Sequence, residues 1–233
     1  MKFHPDKCQV LSITRKREPV TFDYHLHNKK LENVKSAKYL GVTLSEDMRW
    51  NQHIDNIAKT ANQSLGFLRR NLQLSSQTLK TTAYNTIVRP LVEYASIVWD
   101  PHTKEKMHVL DMVQRRAARY VKNSYRNRSS VGAMLEDLKW QPLSLRRKNQ
   151  RLSMIYKIHN NLVGIEKKNY LTLKGRILPS HTHCHQYDVP VSTKDYHYYS
   201  FFPRGLREWN RLPSDVAQAS SVESFRFDFT QQK

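Results

Sequence analysis

The chain has few of the residues on which several protein classes depend. Only 2 of its 233 residues are cysteines, Cys8 and Cys184, so a disulfide framework is excluded. Its apolar runs are only a few residues long, which excludes a membrane-spanning helix. The first residues lead into no hydrophobic segment, and we expect no signal peptide. The sequence therefore predicts an intracellular protein, in the nucleus or the cytoplasm, with no membrane partner.

Acidic residues are also scarce, and none is placed for catalysis. Two-metal phosphoryl chemistry needs carboxylates that converge on one site. The sequence contains no Asp-Asp pair, and its adjacent acids are Glu46-Asp47 and Glu136-Asp137. It also contains no Gly-x-Ser-x-Gly elbow and no phosphate-binding glycine loop, and only 6 of its residues are glycine. We expect no catalysis by this chain alone, no catalytic residue and no cofactor.

The scarcity of acids leaves a large excess of positive charge. The chain has 39 Lys and Arg against 20 Asp and Glu, a formal net charge of +19. Residues 104–157 carry +10 of it, whereas residues 1–103 carry +6 and residues 158–233 carry +3. A solvated face kept for solubility is the alternative interpretation, but such charge would be spread evenly. The concentration favours a surface that binds a polyanion, with RNA or DNA ahead of an anionic membrane.

Hydrophobic periodicity predicts an α+β protein that is mostly helical: a small N-terminal β cluster, then a basic helical bundle, then an irregular C-terminal region. Apolar and polar residues alternate over 8–13, 21–26 and 38–44, which predicts strands. The last one is broken by Gly41, which suggests a bulge or a close backbone approach. From Asn51 the period changes to 3.6. Helices are predicted from Asn51, from Ser75 or Ser76 to Pro90, over 104–122, from Ser129 or Ser130 to Leu138, over 145–162, over 203–210 and after Ser220.

The predicted nucleic-acid contacts are basic side chains on these helices. Arg115, Arg119 and Lys122 form a stripe at helical spacing, with Arg116 beside it. Like charges at that spacing repel, and phosphates would neutralise them. Such residues hold the backbone without reading base sequence. Tyr120 could stack on a base, although packing inside the protein is the stronger alternative. The full predicted set is Arg69, Arg70, Arg115, Arg116, Arg119, Lys122, Arg146, Arg147, Lys148 and Arg151.

One segment of the chain has the residue types of a metal site but lacks the second pair of ligands. The segment His181-Thr182-His183-Cys184-His185 is the densest group of soft ligands in the chain. Structural zinc sites pair such a group with a second, distant pair of ligands, and no second pair is evident. We interpret the segment as a solvated loop and predict no metal.

Several strings, taken together and in order, resemble blocks that follow the catalytic motif of LINE-type (non-LTR) retrotransposon reverse transcriptases, particularly jockey-like ones. The resemblance covers nearly the whole chain, and its strength lies in the ordered series. The strings are Lys7-Cys8, Ala37-Lys38-Tyr39-Leu40-Gly41-Val42, Trp50-Asn51-Gln52-His53-Ile54, Leu68-Arg69-Arg70-Asn71, the run from Val88 to Ser96, Val98-Trp99-Asp100-Pro101, Gln114-Arg115-Arg116-Ala117-Ala118-Arg119, Ser200-Phe201-Phe202-Pro203-Arg204, Trp209-Asn210 and Leu212-Pro213.

The resemblance implies a C-terminal piece of a larger polymerase. Residues 1–50 would be the end of the palm, 51–125 a thumb-like helical region, 126–164 a basic helical extension, and 165–233 a loop-rich C-terminal region with short helices. It also implies that the turn Tyr39-Leu40-Gly41 supports the primer end. The Asp-Asp palm motif with its Mg²⁺ would precede Met1, and the missing palm and fingers would be partners of this piece. His4 and Gly205 depart from the family pattern, where Asn and Thr are usual.

Two other functions remain open from the sequence. Residues 104–163 could be a stand-alone helical module that binds nucleic acids without sequence specificity. The chain could also be an inactive structural remnant, whose strands lack sheet partners and expose apolar faces.

Overall fold

The structure, a computed structural model, describes residues 3–14, 16–20, 22–125, 129–175 and 183–231. It is 52% helix and 8% strand, which confirms the predicted mostly helical α+β class. The strands all precede residue 46: β1 (Gln9–Val10), β2 (His25–Leu26), β3 (Lys29–Lys30), β4 (Glu32–Asn33), β5 (Ser36–Tyr39) and β6 (Val42–Ser45). The helices follow: α1 (Asn51–Asn71), α2 (Gln77–Ala83), α3 (Ser96–Trp99), α4 (Lys104–Val121), α5 (Val131–Asp137), α6 (Leu143–His159), α7 (Asp195–Tyr198), α8 (Phe201–Trp209), α9 (Ser214–Ala217) and α10 (Val222–Gln231).

The described strands form three separate two-stranded sheets. β1 pairs with β4 in parallel, β2 and β3 form a hairpin, and β5 and β6 form another. The single strand predicted over 38–44 is wrong, because Leu40 and Gly41 have φ of +46° and +83°. Two successive residues with φ in the left-handed region form the two-residue turn that joins β5 to β6. This turn geometry matches the right-handed twist of the two strands.

Serine caps set the starts of several helices as predicted. The hydroxyl of Ser76 accepts the N–H of Leu79 at 3.2 Å before α2. Ser130 does the same for Ala133 at 3.3 Å before α5. Each cap satisfies a backbone donor that the first turn of a helix leaves unpaired.

The chain stays helical beyond Ala83, the last residue of α2. It continues through a π-helical turn, Tyr84–Val88, and a 3₁₀ turn, Arg89–Val92, which contains Pro90. A stripe with a period of 3.6 residues cannot pass unchanged through a π-helical turn. The apolar residues of the sequence predict an inner face of Leu79, Ala83, Ile87 and Val88 for this helix. In the structure Ala83 and Val88 are buried, whereas Leu79 and Ile87 are about half exposed.

Two hydrophobic cores organise the helices. The first packs the inner faces of α1 and α4 with β6 and the segment that follows α2, around residues such as Ile54, Leu65, Trp99 and Leu110. The second packs α6 against α8, α9 and α10, around residues such as Ile155, Trp209 and Phe225. Helix α6 begins at Leu143 in the first core and runs into the second. Its side chains therefore lie between the two cores, which decides the environment of its arginines.

Candidate nucleic-acid interface

Helices α1 and α4 lie side by side and run in the same direction. The ammonium of Lys106 binds the carboxylate of Asp55 at 3.0 Å, near the start of both helices. Further along, the Tyr120 hydroxyl donates to the Leu68 carbonyl at 3.2 Å. Their inner faces share the first core, and their outer faces border a groove.

This groove, which we call the α1–α4 groove, is lined by cations and amides. Its lining residues are Lys59, Asn62, Gln63, Gly66, Arg70 and Arg116. None of them carries a negative charge, and the three cationic residues are exposed. Ammonium and guanidinium groups bind phosphates, while the amides add neutral donors. Open cationic grooves of this kind track a nucleic-acid backbone and read no bases.

A glycine lies in the groove lining, and one hydrogen bond orders a guanidinium at its edge. A side chain added to Gly66 would place its Cβ 3.6 Å from Nη1 of Arg70, in space that the groove now leaves open. The Arg116 Nη1 donates to the Asn62 Oδ1 at 3.0 Å, which fixes that guanidinium at the groove edge. A guanidinium already oriented loses less conformational entropy when it binds a phosphate.

Only some of the basic residues that were predicted to bind nucleic acid lie at the α1–α4 groove. Arg70 and Arg116 line the groove. Arg69 and Arg115 are exposed nearby, with the guanidinium of Arg69 5.2 Å from the ring centre of Tyr125. Lys59 was not predicted. Its spacing could have revealed it, since residues 59, 63, 66 and 70 share one face of a helix.

The other two members of the predicted stripe, Arg119 and Lys122, do not line the groove. Lys122 forms an ion pair with Asp137 and a hydrogen bond with Gln77 at 3.1 Å. Arg119 is half-buried. The ring of Tyr120 is buried in the first core, which confirms the favoured prediction that it packs inside the protein and is not free to stack on a base.

The arginines of α6 are not available to a nucleic acid, which corrects their assignment. The side chains of Arg147 and Arg151 are 0% and 2% exposed. Arg146 makes a two-pronged ion pair with Glu93, and Lys148 is half-buried. A buried guanidinium must be paired with carboxylates, and these partners lie on other elements, where the local sequence does not reveal them.

The carboxylates that neutralise α6 form a buried ion cluster at the junction of the two cores. Asp100 accepts from the Arg147 Nε at 2.6 Å and from Nη1 of Arg151. Glu208 on α8 accepts twice from Nη2 of Arg151, at 2.8 and 2.7 Å. Arg204 completes the cluster, its Nη1 3.2 Å from the Asp100 Oδ2. Burial, followed by the nearby charge of Arg151, lowers the pKa of Arg204, as expected where three guanidiniums meet two carboxylates.

The turn at Tyr39, Leu40 and Gly41 is exposed and held from one side. The Tyr94 hydroxyl donates to the Leu40 carbonyl at 3.0 Å. A Cβ at Gly41 would lie 3.1 Å from the Tyr94 ring, closer than normal packing allows. The turn is thus fixed in place by Tyr94, and the close backbone approach predicted at Gly41 is confirmed. Its role in supporting a primer stays a prediction.

Three histidines, His159, His183 and His185, lie close together beside Trp209 of the second core. His159 lies against His185, with ring centres 5.0 Å apart, and its Nδ1 bonds the Tyr187 hydroxyl. Burial, together with the charges of His185, Lys167 and His183, lowers the pKa of His159 to about 4. Within the described ranges no group of three or more His, Cys, Asp or Glu could hold a metal ion. His181 and Thr182 of the predicted cluster lie outside those ranges.

The described carboxylates do not fit the magnesium site that the family resemblance implies for the parent enzyme. Mg²⁺ needs several oxygen ligands that converge on one point. Asp47 instead accepts from the Ser45 hydroxyl at 2.6 Å and from the Arg49 N–H at 2.9 Å, which lowers the pKa of its carboxyl group. Asp137 binds Lys122. Both adjacent acid pairs of the sequence thus have a member in a local structural contact, and we derive no step through a metal.

No described helix is long and apolar enough to cross a membrane. Comparison with protein families, with curated proteins and with solved structures finds no match for the chain. The interface is therefore interpreted from its own geometry.

Proposed function

We propose that the chain holds RNA and DNA through their phosphate backbones, as a thumb-containing piece of a LINE-type retrotransposon reverse transcriptase. One observation carries the binding: the α1–α4 groove presents Lys59, Arg70 and Arg116 with no carboxylate in its lining. The sequence resemblance supports the family, the thumb and the primer-support turn. An intracellular location, in the nucleus or the cytoplasm, belongs to the same proposal.

Catalysis is no part of what we propose for the chain alone. The sequence has no Asp-Asp pair, and the parent's palm and fingers would supply the Mg²⁺ site and remain partners of this piece. Incorporation of nucleotides on a primed RNA template by the purified chain with Mg²⁺ would contradict the fragment interpretation.

The stand-alone module at 104–163 is less well supported. Helix α4 packs mainly on α1, and α6 packs on α3, α8 and α10. The partners of its buried arginines, Asp100 and Glu208, also lie outside that span. A polypeptide limited to 104–163 would expose the inner face of α4 and leave Arg147 and Arg151 without carboxylates.

Binding is tested by fluorescence anisotropy with a DNA primer annealed to an RNA template, over a salt series. We expect the chain to bind, with an affinity that falls steeply with salt. The variant Lys59→Gln, Arg70→Gln, Arg116→Gln should lower the log–log salt slope by about one per residue, about three in all.

The matched control removes the same charge elsewhere. Lys16, Lys35 and Lys139 are exposed and lie outside the groove lining. Their triple Gln variant should keep most of the affinity. An equal loss in both variants would show that only net charge matters, and would refute the groove as the site.

A further inference from the structure

A second surface, on and around α7, collects exposed aromatic rings. Tyr196, Tyr198 and Tyr199 are 50%, 40% and 37% exposed, although they lie within four consecutive residues. A single partly exposed tyrosine is ordinary, but three of them on one short helical segment form a patch. The groove does not include these residues, and the second core does not use them.

The rings are ordered by their neighbours. The ring of Tyr199 stacks on His102, with centres 4.2 Å apart and planes 5° apart. Tyr198 meets Tyr199 edge to face at 4.9 Å. On α8, the guanidinium of Arg207 lies 3.5 Å from the centre of the Tyr198 ring and donates to the Tyr198 carbonyl. Arg207 therefore covers one face of the Tyr198 ring and His102 covers one face of the Tyr199 ring. The edge-to-face contact between the two rings uses part of the rest, and the exposed remainder of the pair is available to a flat ligand.

The charge around the rings is mainly positive. Lys194 directly precedes α7, and the guanidinium of Arg207 covers Tyr198. Asp195 is the acidic neighbour, and it acts on His102. Burial lowers the pKa of His102, so its ring is neutral at pH 7 and stacks as an aromatic group.

We propose that this surface, the tyrosine platform (His102, Tyr196, Tyr198, Tyr199 and Arg207), binds single-stranded nucleic acid by stacking unpaired bases on its rings. Rigid aromatic rings beside guanidinium groups are the recurring solution for binding single strands without sequence preference. A protein partner would also use Tyr and Arg, but the +19 charge of the chain favours a polyanion. The platform extends the proposed function, because the groove binds backbone whereas the platform binds bases.

The test compares two single strands that differ only in their bases. The probes are a labelled oligothymidylate of about 15 nucleotides and an abasic strand of the same length, measured by anisotropy. The wild-type chain should bind oligothymidylate at least about tenfold more tightly, since two stacked bases are lost in the abasic strand. Equal affinity for both strands would overturn the proposal without any variant.

Two double variants test whether the preference for oligothymidylate depends on the rings of Tyr198 and Tyr199. Tyr198→Leu with Tyr199→Leu should remove the preference for oligothymidylate and leave abasic binding unchanged. Tyr198→Phe with Tyr199→Phe keeps the rings and should retain the preference. An equal loss on both strands in the Leu variant, or a Leu variant that keeps the preference, would overturn the assignment. Self-association that the Leu variant abolishes, with no base preference in the wild type, would mark a protein interface and overturn it as well.

Failure of the platform and failure of the groove are distinguishable. The variant Lys59→Gln, Arg70→Gln, Arg116→Gln should weaken binding of the primed duplex and of both single strands. It should leave the ratio between oligothymidylate and the abasic strand unchanged. If that ratio falls with the groove variant, the bases are recognised in the groove, and the platform has no binding role.

Discussion

Removal of one charge from the buried ion cluster should destabilise the whole chain. Asp100→Asn keeps the shape of the side chain but leaves Arg147, Arg151 and Arg204 with Glu208 as the cluster's remaining anion. One of the two side-chain oxygens also becomes an NH₂ group, so a donor faces a guanidinium. The side chain of Asp100 is 7% exposed, and water cannot compensate for the lost charge.

The magnitude follows from the burial of the partners. Breaking a buried, hydrogen-bonded ion pair by removing one member costs about 3–5 kcal/mol, because the other charge stays buried and unpaired. Domains of this size are stable by about 5–15 kcal/mol, so Asp100→Asn should remove at least about a fifth of the total. The matched control is Asp55→Asn, which breaks the pair with Lys106. The side chain of Asp55 is 55% exposed and that of Lys106 is 13% exposed. Solvent therefore screens this pair in part, and its loss should cost clearly less than the loss of Asp100.

The assay is urea unfolding followed by tryptophan fluorescence. Trp99 and Trp209 are completely buried in the first and the second core, so the signal reports on both. We expect a large fall in the midpoint for Asp100→Asn and a small one for Asp55→Asn. High salt should reduce the effect of Asp55→Asn and leave that of Asp100→Asn, because buried charges are weakly screened. Equal shifts for the two variants would refute the structural role of the cluster.

Three further predictions concern stability in the same urea assay. Gly205→Ala should lower the free energy of unfolding by about 1–3 kcal/mol despite better helix propensity, because its Cβ would lie 3.1 Å from Ile155; an unchanged midpoint would contradict this. Gly41→Ala should cost about 1–2 kcal/mol, because φ is +83° and the Tyr94 ring is 3.1 Å away, and a stabilised variant would argue against the hairpin turn. His159 has its pKa lowered from 6.5 to about 4 when folded, so the unfolded state binds its proton first. Stability should therefore fall as pH drops from about 6.5 to about 4, and His159→Gln should flatten that slope; an equal slope in the variant would refute the assignment.

The helices of the first core could be predicted because their signals are local. The period of α4 predicts residues 104–122, and the structure gives Lys104–Val121. Its inner residues Leu110, Val113 and Ala117 are completely buried. Serine caps and a 3.6-residue apolar stripe act within one or two helical turns, so the sequence alone contains the information.

The β5–β6 hairpin could not be predicted from alternation. Alternating residues over 38–44 fit one continuous strand, and Gly41 alone suggested only a bulge or a close approach. Leu40, however, also adopts positive φ, which apolar side chains rarely do. The contact that holds this conformation comes from Tyr94, 54 residues further along the chain.

In the candidate site, too, local features could be predicted from the sequence and contacts between distant residues could not. The sequence locates the basic residues, and it cannot say which of them are neutralised. Arg147 and Arg151 find Asp100 at separations of 47 and 51 residues, and Arg151 finds Glu208 at 57. The exposed cations of α1 instead share a face with amides and a glycine, and no carboxylate reaches them in the groove lining.

Positive charge in this chain therefore occurs in two different environments, one buried and paired and one exposed, and experiments must keep them apart. A variant such as Arg151→Glu would place a third carboxylate beside Asp100 and Glu208 at the junction of the cores. It would lose nucleic-acid binding simply by unfolding, so the loss would say nothing about contacts. Lys59 and Arg70 are exposed on α1 and take no part in the buried ion cluster. The buried arginines of α6 stabilise the fold, and the exposed cations of the α1–α4 groove present the surface on which binding is to be tested.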